Sequence, residues 1–149
     1  MITVLDVETS FVDHNGKTDP LPFNPHNKLV SVGANDDYYF FYHRDSEFDV
    51  QKNHKDLQET LDKTTLLVGH NIKFDLVWLL ESGFKYEGRL YDTMIAEYVL
   101  LRGLRKPLSL KEICKRRSIS QKSDAVDDYM KQKVSFENIP IDIIEEYGR

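Results

Sequence analysis

Hydrophobic and polar residues alternate along residues 2–8, which predicts a first β-strand. Two further runs rich in β-branched and aromatic residues, at 29–34 and 38–43, are separated by the polar residues 35–37 and predict a β-hairpin. The stretch 10–28 carries Gly and Pro among polar residues, which predicts a loop. We therefore expect three sequential strands at the start of the chain.

The remainder of the chain predicts strands and helices in alternation. Short apolar runs at 66–68 and 89–91 are typical of buried strands. Apolar residues recur at helical spacing in five segments, which are residues 55–63, 73–82, 93–101, 109–117 and 141–147. An antiparallel meander followed by alternating strands and helices predicts a mixed sheet with helices on its faces, which is an α/β fold.

The length of 149 residues predicts one globular domain. The apolar runs, such as residues 66–68 and 77–80, are far shorter than the roughly 20 residues that span a bilayer. Cys114 is the only cysteine, and the first residues lack the basic start and long apolar centre of a secretory signal. We therefore expect no membrane segment and a reducing, intracellular location.

The net charge of −5 hides an uneven distribution. Residues 102–122 carry eight basic residues and one acid, a charge of +7, whereas the rest of the chain carries −12. Such a segment is typical either of a solvated helix face or of a surface that contacts phosphates. In the second interpretation, Arg116 and Arg117 are the residues expected to contact a nucleic-acid strand.

The first strand places two carboxylates at its carboxyl end. With alternation, Asp6 and Glu8 share a face with Ile2 and Val4, and ligand sites of α/β sheets lie at the carboxyl ends of strands. Two like charges about 7 Å apart beside a core repel each other unless a cation lies between them. Taken alone, the pair is also typical of a strand end that emerges into solvent.

A second polar cluster follows the strand predicted at 66–68. Asn71 and Asp75 are four residues apart, so they project on the same side at the start of the next helix. Asp75 is expected beside Asp6 and Glu8, or else as a helix-capping acid. His70 is predicted to be a turn residue, because a hard divalent cation prefers oxygen ligands.

Five short motifs occur in order along the chain. They are LDVET at 5–9, GHNIKFD at 69–75, YDTM at 91–94 with EYVL at 97–100, LSL at 108–110, and EY at 146–147. In this order they resemble the 3′–5′ exonuclease domain of family A DNA polymerases, including those of phages. That family belongs to the DEDD exonucleases. The resemblance implies a three-layer, ribonuclease H-like α/β fold whose five-stranded sheet has three antiparallel strands, then parallel strands, and helices on both faces.

The resemblance also implies a metal centre. Asp6, Glu8 and Asp75 would bind two Mg²⁺ or Mn²⁺ ions, and Tyr147 would orient the attacking water. The last aspartate of the family would fall at position 151, beyond the 149 residues. We expect domain 1–149 to be truncated before its last metal-ligand motif is complete, rather than to have lost that ligand. With three carboxylates, the chain is expected to be weakly active or inactive.

Candidate substrate contacts follow from the same resemblance. Thr9 and Asn71 match positions near the terminal nucleotide. Phe11 or Phe74 is a candidate to stack on a base, although Phe74 is also typical of a core position. Asp92, which Thr93 follows, is adequately explained as a helix cap.

The function implied is hydrolysis of phosphodiester bonds at DNA 3′ ends, with release of nucleoside monophosphates, as the proofreading module of a DNA polymerase. The expected partners are a single-stranded DNA 3′ end and a polymerase module of the same longer chain, in the cytoplasm, which is the host cytoplasm for a phage protein. Two alternatives remain open. They are an RNA-trimming exonuclease of the same group and a catalytically inactive nucleic-acid-binding module.

Overall fold

A mixed five-stranded sheet is the centre of the molecule in the computed structural model, which describes residues 1–148. Its strands are β1 (Ile2–Thr9), β4 (Leu29–Ala34), β5 (Asp37–Phe40), β6 (Leu66–Gly69) and β7 (Arg89–Asp92). The order is β5-β4-β1-β6-β7. The pairs β5/β4 and β4/β1 are antiparallel, and β1/β6 and β6/β7 are parallel. The mixed α/β fold predicted from the sequence is therefore confirmed.

Helices follow the strands closely. They are α1 (Val50–Lys63), α2 (Ile72–Glu81), α3 (Thr93–Leu100), α4 (Leu110–Arg117), α5 (Asp127–Lys131) and α6 (Ile141–Gly148), with a 3₁₀ turn at Phe136–Asn138. Helix α1 begins five residues before its predicted start, because the Asp49 side chain caps it by accepting from the Lys52 amide at 3.0 Å. The loop predicted at 10–28 contains a short hairpin, β2 (Val12–His14) and β3 (Lys17–Asp19), which was not predicted.

The main core lies between one face of the sheet and helices α1 and α2. Leu5 and Val7 of β1 point into it and meet Leu57 of α1 and Leu79 of α2. Ile2 and Val4 point to the other face, where they are 61% and 56% exposed. The row that ends in Asp6 and Glu8 is thus the solvent-facing row of β1, and the core that we expected beside it is on the opposite face.

A second apolar cluster covers the strands β4 and β5. Val30 and Phe40 of the sheet pack with buried residues from the last quarter of the chain, which are Val126, Phe136, Ile139 and Ile144. This cluster fixes the segment after α4 and helix α6 against the sheet. Consequently, residues 120–124 and Tyr147 of α6 border the carboxyl end of β1, where they line one cleft with Asp6 and Glu8.

A side chain of helix α2 is hydrogen-bonded to the loop before β4. The indole Nε1 of the buried Trp78 donates a hydrogen bond to the Pro20 carbonyl at 2.9 Å. Asn27 holds the same loop from within, since its amide nitrogen donates to the carbonyls of Asp19 and Leu21. Across residues 1–148, no helix has the length and apolar character needed to cross a membrane.

Candidate active site

The carboxyl end of β1 extends beyond its parallel neighbour. Strand β6 pairs with β1 only over residues 2–4, whereas β4 accompanies β1 as far as Thr9. The register shifts between Glu8 and Thr9, where the pairing is irregular. This arrangement leaves Asp6 and Glu8 at an open edge. The side chain of Asp6 is 55% exposed, and that of Glu8 is 15% exposed.

Asp75 reaches the same edge from helix α2. Asn71 precedes the helix with a left-handed φ of 59°, and this turn leads the chain from β6 into α2. The carboxylate of Asp92 accepts the backbone amides of Asn71 and Ile72, each at 3.1 Å, and so fixes the helix start. In this position, Asp75 Oδ1 accepts the Val7 amide at 2.9 Å. The third carboxylate therefore lies against the backbone of β1 at Val7, the residue between Asp6 and Glu8.

Lys122 enters the site from the segment between α4 and α5. Its ammonium forms ion pairs with Asp6 and with Glu8 Oε1, the latter at 3.6 Å. The same nitrogen lies 4.1 Å from the ring centroid of Tyr147, a cation–π contact. Tyr147 also packs against Phe136, with ring centroids 6.1 Å apart. One cation thus joins two carboxylates and the tyrosine.

The electrostatics of the site show an excess of negative charge. Burial, Asp6 and Asp75 raise the pKa of the Glu8 carboxyl well above its usual range, against the influence of Lys122. Burial and Asp6 raise the pKa of Asp75 to about 7. Burial alone would lower the pKa of Lys122, but Asp6 and Glu8 outweigh it, so this pKa is raised. Even with Lys122 present, the carboxyls of Glu8 and Asp75 still resist ionisation.

Two clefts meet at Glu8. The larger, of about 610 Å³, is lined by Asp6, Lys122 and Tyr147, and we term it the acidic cleft. The smaller, of about 350 Å³, is lined by Thr9 and by apolar side chains, and we term it the apolar cleft. Its apolar lining includes Phe11, Phe74, Met130 and Phe136. The carboxylates can bind cations or polar groups, and the aromatic side chains of the neighbouring cleft can stack on a planar ring.

A protein-family model described as 3′–5′ exonuclease matches residues 23–143, about four fifths of the chain. The chain belongs to the 3′–5′ exonuclease domains of family A DNA polymerases. Comparison with curated proteins finds no match. The matched range contains Asp75 and Lys122 but not Asp6, Glu8 or Tyr147. The placement of these three residues in the exonuclease domain therefore comes from the geometry described above.

The candidate site suits divalent ions by the chemistry of its side chains. Within residues 1–148, no group of three or more His, Cys, Asp or Glu side chains is arranged to hold a metal ion. Asp75 is turned to the Val7 amide, and Lys122 lies between Asp6 and Glu8. The ligands themselves are carboxylate oxygens, which hard divalent ions prefer. The Lys122 ammonium shows that a positive charge is held where Asp6 and Glu8 meet.

Other predicted contact residues are placed as follows. Thr9 is buried at the irregular end of β1, and Asn71 is exposed at the start of α2. Phe74 packs against the main core and also lines the apolar cleft, and its stacking on a base stays a prediction. His70 is a turn residue, as predicted, and its ring bonds Thr93 Oγ1 and the Leu108 carbonyl. The substrate roles of these residues remain predictions.

Four of the eight basic residues in the segment 102–122 form ion pairs with acids of the domain. Arg116 Nη2 and Arg117 Nε donate to the two carboxylate oxygens of Glu97, at 2.9 and 2.7 Å. Glu97 is only 3% exposed, so these bonds fasten α4 to α3. The two arginines are thus structural partners of an acid, and their contact with a nucleic-acid strand remains a prediction. Lys111 is likewise bonded to Asp124 and Asp127.

Sequence reasoning missed Lys122 and Glu97. Lys122 was counted only within the charge of the basic segment, and its partners lie more than 110 residues away in sequence. Glu97 lies within one of the recognised motifs but received no role. A single acid among the apolar residues of an otherwise hydrophobic helix, Thr93–Leu100, was the available signal for a buried ion pair.

Proposed function

We propose that the chain is a metal-dependent 3′–5′ exodeoxyribonuclease that releases nucleoside monophosphates from DNA 3′ ends. The observation that carries this proposal is the meeting of Asp6, Glu8 and Asp75 at one end of β1, with a cation already between two of them. Membership of the exonuclease family supports the reaction class. The choice of DNA and the requirement for metal are our inferences from the site.

In this proposal, Asp6, Glu8 and Asp75 hold two Mg²⁺ or Mn²⁺ ions. Such ions lower the pKa of a bound water and stabilise the charge that develops on the departing 3′ oxygen. Asp75 remains anchored to the Val7 amide by one oxygen and offers the other. The raised pKa values of Glu8 and Asp75 describe a site that favours neutralisation by bound cations.

Tyr147 has a positioning role in this proposal. Burial raises the pKa of its hydroxyl above the usual value near 10. The hydroxyl is therefore protonated at neutral pH, so it donates a hydrogen bond and does not serve as a general base. Its ring packs against Phe136 and faces the Lys122 ammonium, which holds the side chain at the acidic cleft.

The 3′-terminal nucleotide is expected to bind across the two clefts. Its base would enter the apolar cleft and stack on Phe11 or Phe74, while the scissile phosphate lies at Glu8. Asn71 and Thr9 would contact sugar or phosphate. Because Glu8 lines both clefts, a strand that fills the apolar cleft presents its last phosphodiester bond to the carboxylates.

A proofreading role follows as a further part of the proposal. The exonuclease domains of this family occur in DNA polymerases, so the partner that we propose is a polymerase module of the same longer chain. The location that we propose is the cytoplasm of the cell in which the DNA is replicated. The substrate in that setting is a frayed, single-stranded primer end. Single-stranded DNA is therefore the substrate for the test that follows.

The test incubates 5′-labelled single-stranded DNA with excess protein and Mg²⁺, Mn²⁺ or chelator, and resolves the products on a sequencing gel. The expected result is a stepwise ladder that needs the metal and disappears in Asp6→Asn. Asp36→Asn, at an exposed turn, is the matched control and should retain the ladder. An RNA oligonucleotide of the same sequence runs in parallel, and faster trimming of the RNA would replace our substrate assignment.

The second candidate is a nucleic-acid-binding module without catalysis. It is favoured by the ion pairs of Lys122, because a site filled by its own cation does not yet bind metal. Gel-shift measurement of DNA binding in chelator separates the two. Tight binding of DNA, together with no cleavage in any metal, would support the binding module over the exonuclease.

A further inference from the structure

The ammonium of Lys122 occupies the point at which Asp6 and Glu8 come together. It is the only lysine or arginine nitrogen within 4.0 Å of either carboxylate among residues 1–148. The side chain of Lys122 is 23% exposed, so much of the acidic cleft at this point is filled by the protein itself. A divalent ion bound by the same oxygens would need this position.

The segment that carries Lys122 is fixed by the residues that follow it. Two residues after Lys122, Asp124 pairs with Lys111 at 2.8 Å, and Asp127 pairs with the same lysine at 2.9 Å. Val126 is completely buried in the second apolar cluster. The main chain of the segment is therefore fixed over the site, and only the long, flexible side chain of Lys122 is free to leave the carboxylates.

We propose that Lys122 is an internal counter-cation that competes with divalent ions for Asp6 and Glu8. In the metal-free protein, its ammonium neutralises the pair. A divalent ion that binds at the position of the ammonium requires it to move aside, since two cations at contact distance repel each other. The apparent affinity of the site for metal is then its intrinsic affinity reduced by competition from Lys122. This inference rests on the proposed function, because it requires divalent ions to bind these carboxylates.

Competition predicts that removing the ammonium tightens metal binding. Lys122→Met keeps a linear side chain of similar length that still packs on Tyr147, but it has no charge. We expect its dissociation constant for Mn²⁺ to fall by roughly tenfold to a hundredfold, the range in an equilibrium constant that charge-assisted hydrogen bonds of partly buried groups produce. Lys122→Arg preserves the charge and should bind Mn²⁺ with nearly the wild-type constant.

Direct titration of Mn²⁺, followed by electron paramagnetic resonance of the free ion, measures these constants without DNA and without turnover. Lys133→Met is the matched control, because Lys133 also pairs with a carboxylate, that of Asp13 at 3.2 Å, but at the apolar cleft and away from Asp6 and Glu8. Its Mn²⁺ constant should stay within twofold of wild type. Circular dichroism and thermal unfolding in chelator verify that each variant is folded.

The outcomes separate the two proposals. Tighter Mn²⁺ binding by Lys122→Met, with Lys122→Arg and Lys133→Met unchanged, supports the internal counter-cation. Unchanged or weaker Mn²⁺ binding by a folded Lys122→Met overturns it, while measurable Mn²⁺ binding that is lost in Asp6→Asn leaves the metal site of the proposed function intact. If none of the folded variants binds Mn²⁺, both proposals fail.

Discussion

Asp75 accepts the backbone amide of Val7 at 2.9 Å, so a carboxylate of α2 is bonded to the same strand that carries Asp6 and Glu8. Strand β6 pairs with β1 only over residues 2–4, and Asp75 takes a backbone donor beyond that point. One hydrogen bond thus completes the strand and positions an acid. Asp75 is only 4% exposed, so a charge on its carboxylate is costly.

The first prediction concerns Asp75 and pH. Its pKa is raised to about 7, mainly by burial and then by Asp6, so its ionisation opposes folding. The cost is absent below the usual pKa near 4 and grows until pH exceeds about 7, where it reaches up to about 4 kcal/mol. Asp75→Asn keeps an oxygen for the Val7 amide and removes this cost.

In chelator, we therefore expect Asp75→Asn to raise the free energy of unfolding by on the order of 2 kcal/mol more at pH 8 than at pH 5. Urea denaturation at the two pH values measures the difference. Asp36→Asn, on an exposed turn, controls for the loss of one charge. An equal effect of Asp75→Asn at both pH values would contradict the prediction.

The second prediction concerns Asp92, which caps two helices. Its carboxylate accepts the amides of Asn71 and Ile72 at the start of α2, and also that of Met94 in α3 at 2.8 Å. Asp92→Ala should therefore cost roughly 1–4 kcal/mol, twice the range of a single cap. Asp49→Ala, which removes one cap from α1, should cost about half as much in the same urea denaturation. Equal losses would show that only one cap of Asp92 contributes.

The third prediction concerns the buried Glu97. Hydrogen bonds from Arg116 and Arg117 lower its pKa, so its stabilising effect is present above the usual pKa and is lost as the pH falls through the lowered value. Glu97→Gln should lower the melting temperature at pH 7 and have a smaller effect near pH 3. Glu112→Gln, at an exposed position of α4, is the control. If both variants melt alike at pH 7, the ion pairs do not hold α4 in place.

The fourth prediction concerns the apolar cleft. Phe11→Ala removes a ring from its lining and should weaken binding of single-stranded DNA by roughly 1–3 kcal/mol, the contribution of one stacked base. Phe23→Ala removes a ring that is 67% exposed and lies outside the cleft lining, so it should leave the affinity unchanged. Filter binding in chelator measures both. Equal affinities of the two variants would place the base elsewhere.

The elements with strong local patterns were predictable. Strand β4 begins and ends at the predicted residues, and α3 differs by one residue, because alternation and helical spacing are properties of neighbouring side chains. The hairpin β2/β3 was not predicted, because its two strands have only three residues each and lie among polar residues. Its turn, Asn15-Gly16, with φ of 53° and 81°, was the available signal, and the two strands pair locally across it.

The candidate site was predictable to a similar extent. Asp6, Glu8 and Asp75 follow from strand ends and motif order, and the structure brings them to one edge. Lys122 has no such signal, because residues 118–126 have no periodicity and the position of this segment is set by Val126 in the second apolar cluster. Local sequence patterns do not indicate a charged residue whose partners are distant in sequence, whereas they do indicate acids at the ends of strands.

The bond from the Trp78 indole to the Pro20 carbonyl has a practical consequence. Trp78 is the single tryptophan of the chain, and Pro20 belongs to the lining of the apolar cleft. The emission of this indole therefore senses the loop that a 3′-terminal base would press against, with no dye attached. Rapid mixing with an oligonucleotide, followed by intrinsic tryptophan fluorescence, would give the time course of DNA binding at the apolar cleft.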